Sequence, residues 1–120
     1  MTKKVLVLGA SNKSGRFSFL AMHMLMDHGY EVVAIGRRSD DTGVIEIRDS
    51  IPVVDNLYAA TIYLRPDYQT DYTDILIGLK PERVIFNPGT ENSVLSEILS
   101  KNGINVIEGC TLVMLQSGTF

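Results

Sequence analysis

The sequence predicts an α/β domain: a doubly wound parallel sheet with helices on both faces, in three layers. Three observations carry this. Apolar runs of strand length alternate with segments of helical period along the whole chain. The first such run, Lys4-Val5-Leu6-Val7-Leu8, ends at Gly9 and passes through a polar loop into a helical pattern. The chain has 120 residues, enough for one core but not for a cofactor domain and a separate substrate domain, so 1–120 is read as a single unit.

Strands are expected near 4–9, 31–36, 59–64, 83–87 and 104–108. The first helix, about 15–28, carries Phe17, Leu20, Ala21, Met24 and Leu25 at core spacing and closes at His28-Gly29. A second apolar set, Phe19, Met22 and Met26, makes this helix apolar nearly all round and predicts a homodimer that uses it. After Pro66 and Asp67 a second helix is expected to run to about Gly78, with Tyr68, Tyr72, Ile75, Leu76 and Leu79 on one side and Pro81 as its stop. Thr90 is expected to cap a third helix with the face Val94, Leu95, Ile98 and Leu99, closed by Asn102-Gly103. Segment 39–58 is the least regular, with room for a short strand at Val44–Ile47 and a turn around Ile51-Pro52.

Right-handed crossovers favour a five-stranded sheet of order 3-2-1-4-5, whose ligand crevice lies outside the C-terminal strand ends near strands 1 and 4. Gly9 to Ser14, Arg37, Arg65 and Asn87 to Thr90 all fall on that edge. A net charge of −3, with 45% hydrophobic and 21% charged residues, describes a globular chain with no general attraction for nucleic acid or an anionic membrane. Any anion site must be local. The single cysteine, Cys110, excludes an internal disulfide, and the apolar run after Thr2-Lys3-Lys4 is too short for a signal peptide or a membrane span. A reducing cytoplasm is the expected compartment.

The loop Gly9-Ala10-Ser11-Asn12-Lys13-Ser14-Gly15-Arg16 is the principal candidate site. A glycine ending strand 1 allows a sharp turn, and the amides and dipole at the following helix favour an anion. Ser11, Asn12 and Ser14 add donors; Lys13 and Arg16 add charge. The bland alternative is a tight turn that holds nothing. No Gly-Lys-Ser/Thr follows Gly9, so this is not the loop that cradles nucleoside triphosphates. The dinucleotide fingerprint fails as well, because Ser11 and Ser14 stand where its second and third glycines would sit. After strand 2 the chain has Gly36-Arg37-Arg38 where an NAD site usually has an acid. Arginines there suit a ribose bearing a phosphate, the 2′-phosphate of NADP or the 3′-phosphate of coenzyme A, or else are solvated loop charges.

Other candidates carry less. Cys110 lies just beyond the last strand, where Thr111 to Leu115 are expected to begin a short helix; it is either a thiol able to pair with a coenzyme or plain packing. Arg65 either reaches a ligand phosphate or forms a structural ion pair. His23 and His28 are five apart on one helix, the wrong spacing for a metal pair. The sequence presents no Ser-His-Asp arrangement and no catalytic base, and no metal site is predicted.

Taken together, these residues resemble the stand-alone CoA-binding domain proteins related to the CoA-binding domain of succinyl-CoA synthetase. The pieces are Gly9-Ala10-Ser11 with Arg16 and Ser18, His28-Gly29-Tyr30-Glu31-Val32, Ile51-Pro52 with Asp55, Leu64-Arg65-Pro66, Asn87-Pro88-Gly89-Thr90-Glu91-Asn92, and Gly109-Cys110-Thr111. Their order and spacing, over nearly the whole chain, carry the resemblance. It implies a Rossmann-like domain that binds coenzyme A, with Gly9 to Asn12 near the pyrophosphate and the residues after strand 2 near the adenosine. Many relatives have an Asn-Pro pair where this chain has Gly36-Arg37.

The reading is a ligand-binding or regulatory module for coenzyme A or an acyl-CoA, with no independent catalytic activity. The rival is a small NADP-dependent oxidoreductase or NADP-binding protein; against it, no tyrosine here is followed by lysine four residues later. A structural interaction protein with a vestigial pocket is the third possibility.

Overall fold

The computed structural model describes residues 2–120. Strands β1 (Lys4–Leu8), β2 (Glu31–Ile35), β3 (Ile47–Arg48), β4 (Leu57–Ile62), β5 (Arg83–Phe86) and β6 (Asn105–Glu108) form one sheet of order β3-β2-β1-β4-β5-β6, and every pairing in it is parallel. The doubly wound class holds, with six strands where the sequence predicts five.

The added strand changes the order. The run expected at 59–64, placed by the sequence beside β2 at the edge, is β4 and lies between β1 and β5. All six of its residues are buried, and Ala59 and Ala60, fully covered, let layers close on both faces. The edge position goes to β3, which pairs Ile47 with Ala34 and Arg48 with Ile35. A two-residue strand is too short to leave a periodic signal.

Alternate residues of β1 enter opposite cores. Val5 and Val7 meet Met22, Leu25 and Leu115 under helices α1 (Phe17–Asp27) and α4 (Thr111–Ser117). Leu6 and Leu8 meet Ile62, Leu76, Phe86, Leu95 and Leu99 under α2 (Thr73–Leu79) and α3 (Ser93–Lys101). Each large side chain so buried contributes about 1.5–3 kcal/mol.

The helices depart from expectation in register. α1 buries Ser18, Ala21, Met22 and Leu25, whereas Phe17, expected inside, is 72% exposed, Leu20 is exposed and Met24 is half-buried. On a helix apolar nearly all round, two stripes compete, and periodicity alone does not choose. The second helix is shorter than expected: Pro66–Tyr68 and Thr70–Tyr72 are 3-10 turns, and α2 starts at Thr73. Asn92, not Thr90, caps α3, its Oδ1 accepting from the Leu95 amide at 3.1 Å. Among the described residues no helix is long and apolar enough to cross a membrane.

Candidate functional site

The order β2-β1-β4 puts the loops after these strands side by side at the C-terminal edge of the sheet. Gly9 (φ +89°) makes the turn out of β1; a Cβ there would lie 2.9 Å from the Tyr63 carbonyl carbon, so no side chain fits between the β1 and β4 ends. Gly36 has a similar role on the other side, where a Cβ would meet Ile47 Cγ2 at 2.9 Å and the Ala10 carbonyl oxygen at 3.0 Å.

The Gly9 and Ala10 amides both donate to the Ile35 carbonyl at 2.9 Å, which fixes the loop to β2 and removes those two amides from any ligand. The free amides therefore begin at Ser11, two residues beyond the Gly9 at which the sequence reading starts the cradle. The Lys13 amide donates to Ser11 Oγ at 3.1 Å and the Arg16 amide to the Lys13 carbonyl at 3.0 Å. The amides of Ser11, Asn12, Ser14 and Gly15 have no partner among the described residues. Arg16 is the N-cap of α1 without a side-chain cap bond, and the first turn holds no acid. Lys13, Arg16 and Arg37 are exposed and make no salt bridge among the described residues. The result is a set of free donors and unneutralised cations at a helix start, suited to an anion.

The Asn12 side chain turns away from this cradle. Its amide lies where a Cβ on Gly43 would be, 2.5 Å from Asn12 Oδ1, so Gly43 leaves room for it, and its buried Nδ2 is near the Asp40 carboxyl with no full hydrogen bond among the described residues. Gly43 belongs to a hairpin tied by Asp40 and Ile47, each amide donating to the other's carbonyl at 2.8 Å. Asp40 accepts from the Thr42 hydroxyl and amide, which hold its carboxyl below the usual range, with Asn12 adding a smaller pull.

The wall on β4 and β5 is of another kind. Asn87 is buried; its Nδ2 donates to Thr61 Oγ1 at 2.7 Å and to the Ile62 carbonyl at 2.8 Å, and its Oδ1 accepts from the Thr111 amide at 2.9 Å. Thr61 and Thr111 share a bond of 2.7 Å. Asn87 thus ties β5, β4 and α4 together. Gln69, also buried, donates to the Leu64 and Thr90 carbonyls at 2.9 and 2.7 Å and accepts from Asn92 at 3.0 Å. Pro88 and Gly89 stand exposed beyond this knot.

Tyr63 sits at the end of β4, its hydroxyl buried and without a hydrogen bond among the described residues. Burial pushes its phenol up to about 12; the Thr111 hydroxyl opposes the rise, Cys110 adds to it, and Thr61 opposes it slightly. Cys110, half-buried, follows β6. β6 is three strands from β1, roughly 14 Å at the usual spacing, but Cys110 is the N-cap residue of α4, which packs on α1, and its thiol lies near enough to Tyr63, the residue after β4, to act on its phenol.

The structure therefore brings Gly9 to Arg16, Gly36, Arg37 and Arg65 around the end of β1, with Asn87, Pro88, Gly89 and Cys110 along the β4–β5 side of the same edge. The sequence reading missed Tyr68, placed there on a helix face. Its ring lies 4.7 Å from the Arg37 guanidinium carbon and 5.7 Å from that of Arg65. Gln69 was missed too; its only signal was Pro66, which starts a tight turn and not a long helix.

Comparison with known proteins agrees with this architecture. No protein of curated function matches the chain. A crystal structure of an uncharacterised protein is 44% identical, covering 100% of this chain and 99% of its own, with a TM-score of 0.94. A Thermus thermophilus protein at 20% identity (99% of this chain, 91% of that one, TM-score 0.84) and a hypothetical protein from Pyrococcus horikoshii OT3 at 21% (97% and 83%, TM-score 0.87) share the fold. The sequence profile of the CoA binding domain matches residues 3–116, and the chain belongs to that family.

Proposed function

We propose that this protein binds coenzyme A or an acyl-CoA and serves as a ligand-binding or regulatory module of the cytoplasm, without a reaction of its own. The observation that carries this is the β1–α1 loop, whose Ser11, Asn12, Ser14 and Gly15 amides have no partner among the described residues and stand at the start of α1 with Lys13 and Arg16 beside them. A pyrophosphate fits that donor set, and Arg37 stands on the β2 side where the adenosine end belongs. Coenzyme A would bring a thiol able to carry an acyl group. The loop itself offers amides, hydroxyls and cations, groups that bind and orient an anion. Asn87 acts in this reading as scaffold, its three bonds already made inside the protein.

A thermal-shift series with coenzyme A, dephospho-coenzyme A, NADP and NAD at matched concentration tests the assignment. A ligand at 100 times its dissociation constant stabilises the fold by about 2.7 kcal/mol, a shift of several degrees. Stabilisation by coenzyme A supports it; stabilisation by NADP alone replaces it with the oxidoreductase reading. The same protein is proposed to dimerise through α1, where Phe17, Leu20 and Met26 are exposed, although Met22, which the sequence reading set on that surface with Phe19 and Met26, is buried. Light scattering that reads a monomer at micromolar concentration would remove the dimer.

A further inference from the structure

Arg37 and Arg65 converge on one ring. They follow β2 and β4, the strands on either side of β1, and both place their guanidinium carbons near the face of Tyr68. The three side chains thus span the end of the strand that carries the anion loop. Tyr68 is 43% exposed and belongs to neither core. Among the described residues, Arg65 has one ionic partner, Asp67 at 3.6 Å, with both side chains largely exposed, and Arg37 has none.

A guanidinium lying against an aromatic face keeps its in-plane N–H fork available, because the π contact uses the face and not the edge. Two such forks held on one ring can meet a dianion from two sides, the geometry in which arginine binds phosphate most strongly. On the proposed reading the loop amides serve a pyrophosphate, which leaves this pair for a further phosphate. We propose that Arg37, Tyr68 and Arg65 form a clamp that selects nucleotides carrying a phosphate monoester on the ribose, with Tyr68 as a positioning residue for both arginines. The inference rests on the nucleotide reading of the crevice but not on which nucleotide occupies it: the 3′-phosphate of coenzyme A and the 2′-phosphate of NADP have the same chemistry.

Calorimetric titration of the full chain with coenzyme A, dephospho-coenzyme A, NADP and NAD tests this, using wild type and the variants Arg37→Ala, Arg65→Ala, Tyr68→Leu and Tyr68→Phe. Wild type is expected to prefer the phosphorylated member of its ligand pair by ~10-fold or more. Arg37→Ala, Arg65→Ala and Tyr68→Leu should bring that ratio near one while leaving the other member's affinity within about twofold; Tyr68→Phe, which keeps the ring, should retain the preference. Equal losses for both members, or a Tyr68→Phe that behaves like Tyr68→Leu, overturn the clamp. Equal wild-type affinity for coenzyme A and its dephospho form overturns the clamp and leaves the coenzyme A reading standing. Discrimination between NADP and NAD without coenzyme A binding does the reverse, and no binding of any of the four removes both.

Discussion

The two sides of the crevice are built on opposite plans. On the β4–β5 side, Asn87, Gln69, Thr61 and Thr111 are buried and bonded to one another or to backbone carbonyls, so the polar groups there are spent on holding loops in place. On the β1 side, the loop from Ser11 to Gly15 has four amides without partners among the described residues, and Lys13 is exposed. The first arrangement costs the protein heavily if broken but gains nothing from a ligand; the second is the reverse. A pocket can use both, one wall to fix geometry and the other to supply the donors.

The largest effect should come from breaking the first wall. Asn87→Ala removes three side-chain bonds and strands the Thr111 amide in a site where Thr111 is fully buried. A loss of about 3 kcal/mol is expected, roughly 10 °C in Tm, read by urea and thermal unfolding. If the variant keeps wild-type stability and loses only ligand affinity, Asn87 is a ligand contact and the two walls are not distinct.

That division explains what the sequence could and could not show. The β1 loop was legible because its signals are local: a glycine at the strand end, a run of donors, cations next to a helix start. The share of its amides already taken was not, because the Gly9 and Ala10 bonds go to Ile35 on another strand. Asn87 was legible as a residue of interest but not as scaffold, since its partners lie 24 to 26 positions away. The place of β4 was missed for a like reason. Its apolar run is plain, but whether it pairs beside β2 or beside β1 depends on the two-residue β3 occupying the edge. On α1, Phe17 and Leu20 were misplaced because an almost uniformly apolar helix gives no preferred direction.

The second wall is broken by charge. Ser11→Glu places a carboxylate among the free amides, where it competes with an anionic ligand and repels it. Affinity for coenzyme A should fall ~100-fold or more, with stability held within about 0.5 kcal/mol because Ser11 supports only the local Lys13 contact. Unchanged affinity would take this loop out of the site.

The smallest effect sharpens the boundary between the walls. Tyr63 follows β4 and its hydroxyl lies near Thr61 and Thr111, yet among the described residues that buried hydroxyl makes no full hydrogen bond, an exception in an otherwise satisfied network. Tyr63→Phe removes a desolvated group that returns nothing, so stability at neutral pH should hold or rise by up to about 1 kcal/mol. The pH dependence adds a signature. The phenol's value in the folded chain, about 12, lies above its ordinary 10.0, so the fold favours the protonated form. Its contribution is complete below pH 10 and is lost as pH rises from 10 toward 12. The Phe variant has no such group and should lose less stability than wild type over that interval. Tyr30, whose phenol is also raised, is present in both proteins and cancels in the comparison. If Tyr63→Phe instead costs a kcal/mol or more at neutral pH, the hydroxyl belongs to the bonded wall after all, and the network extends from Asn87 to the end of β4.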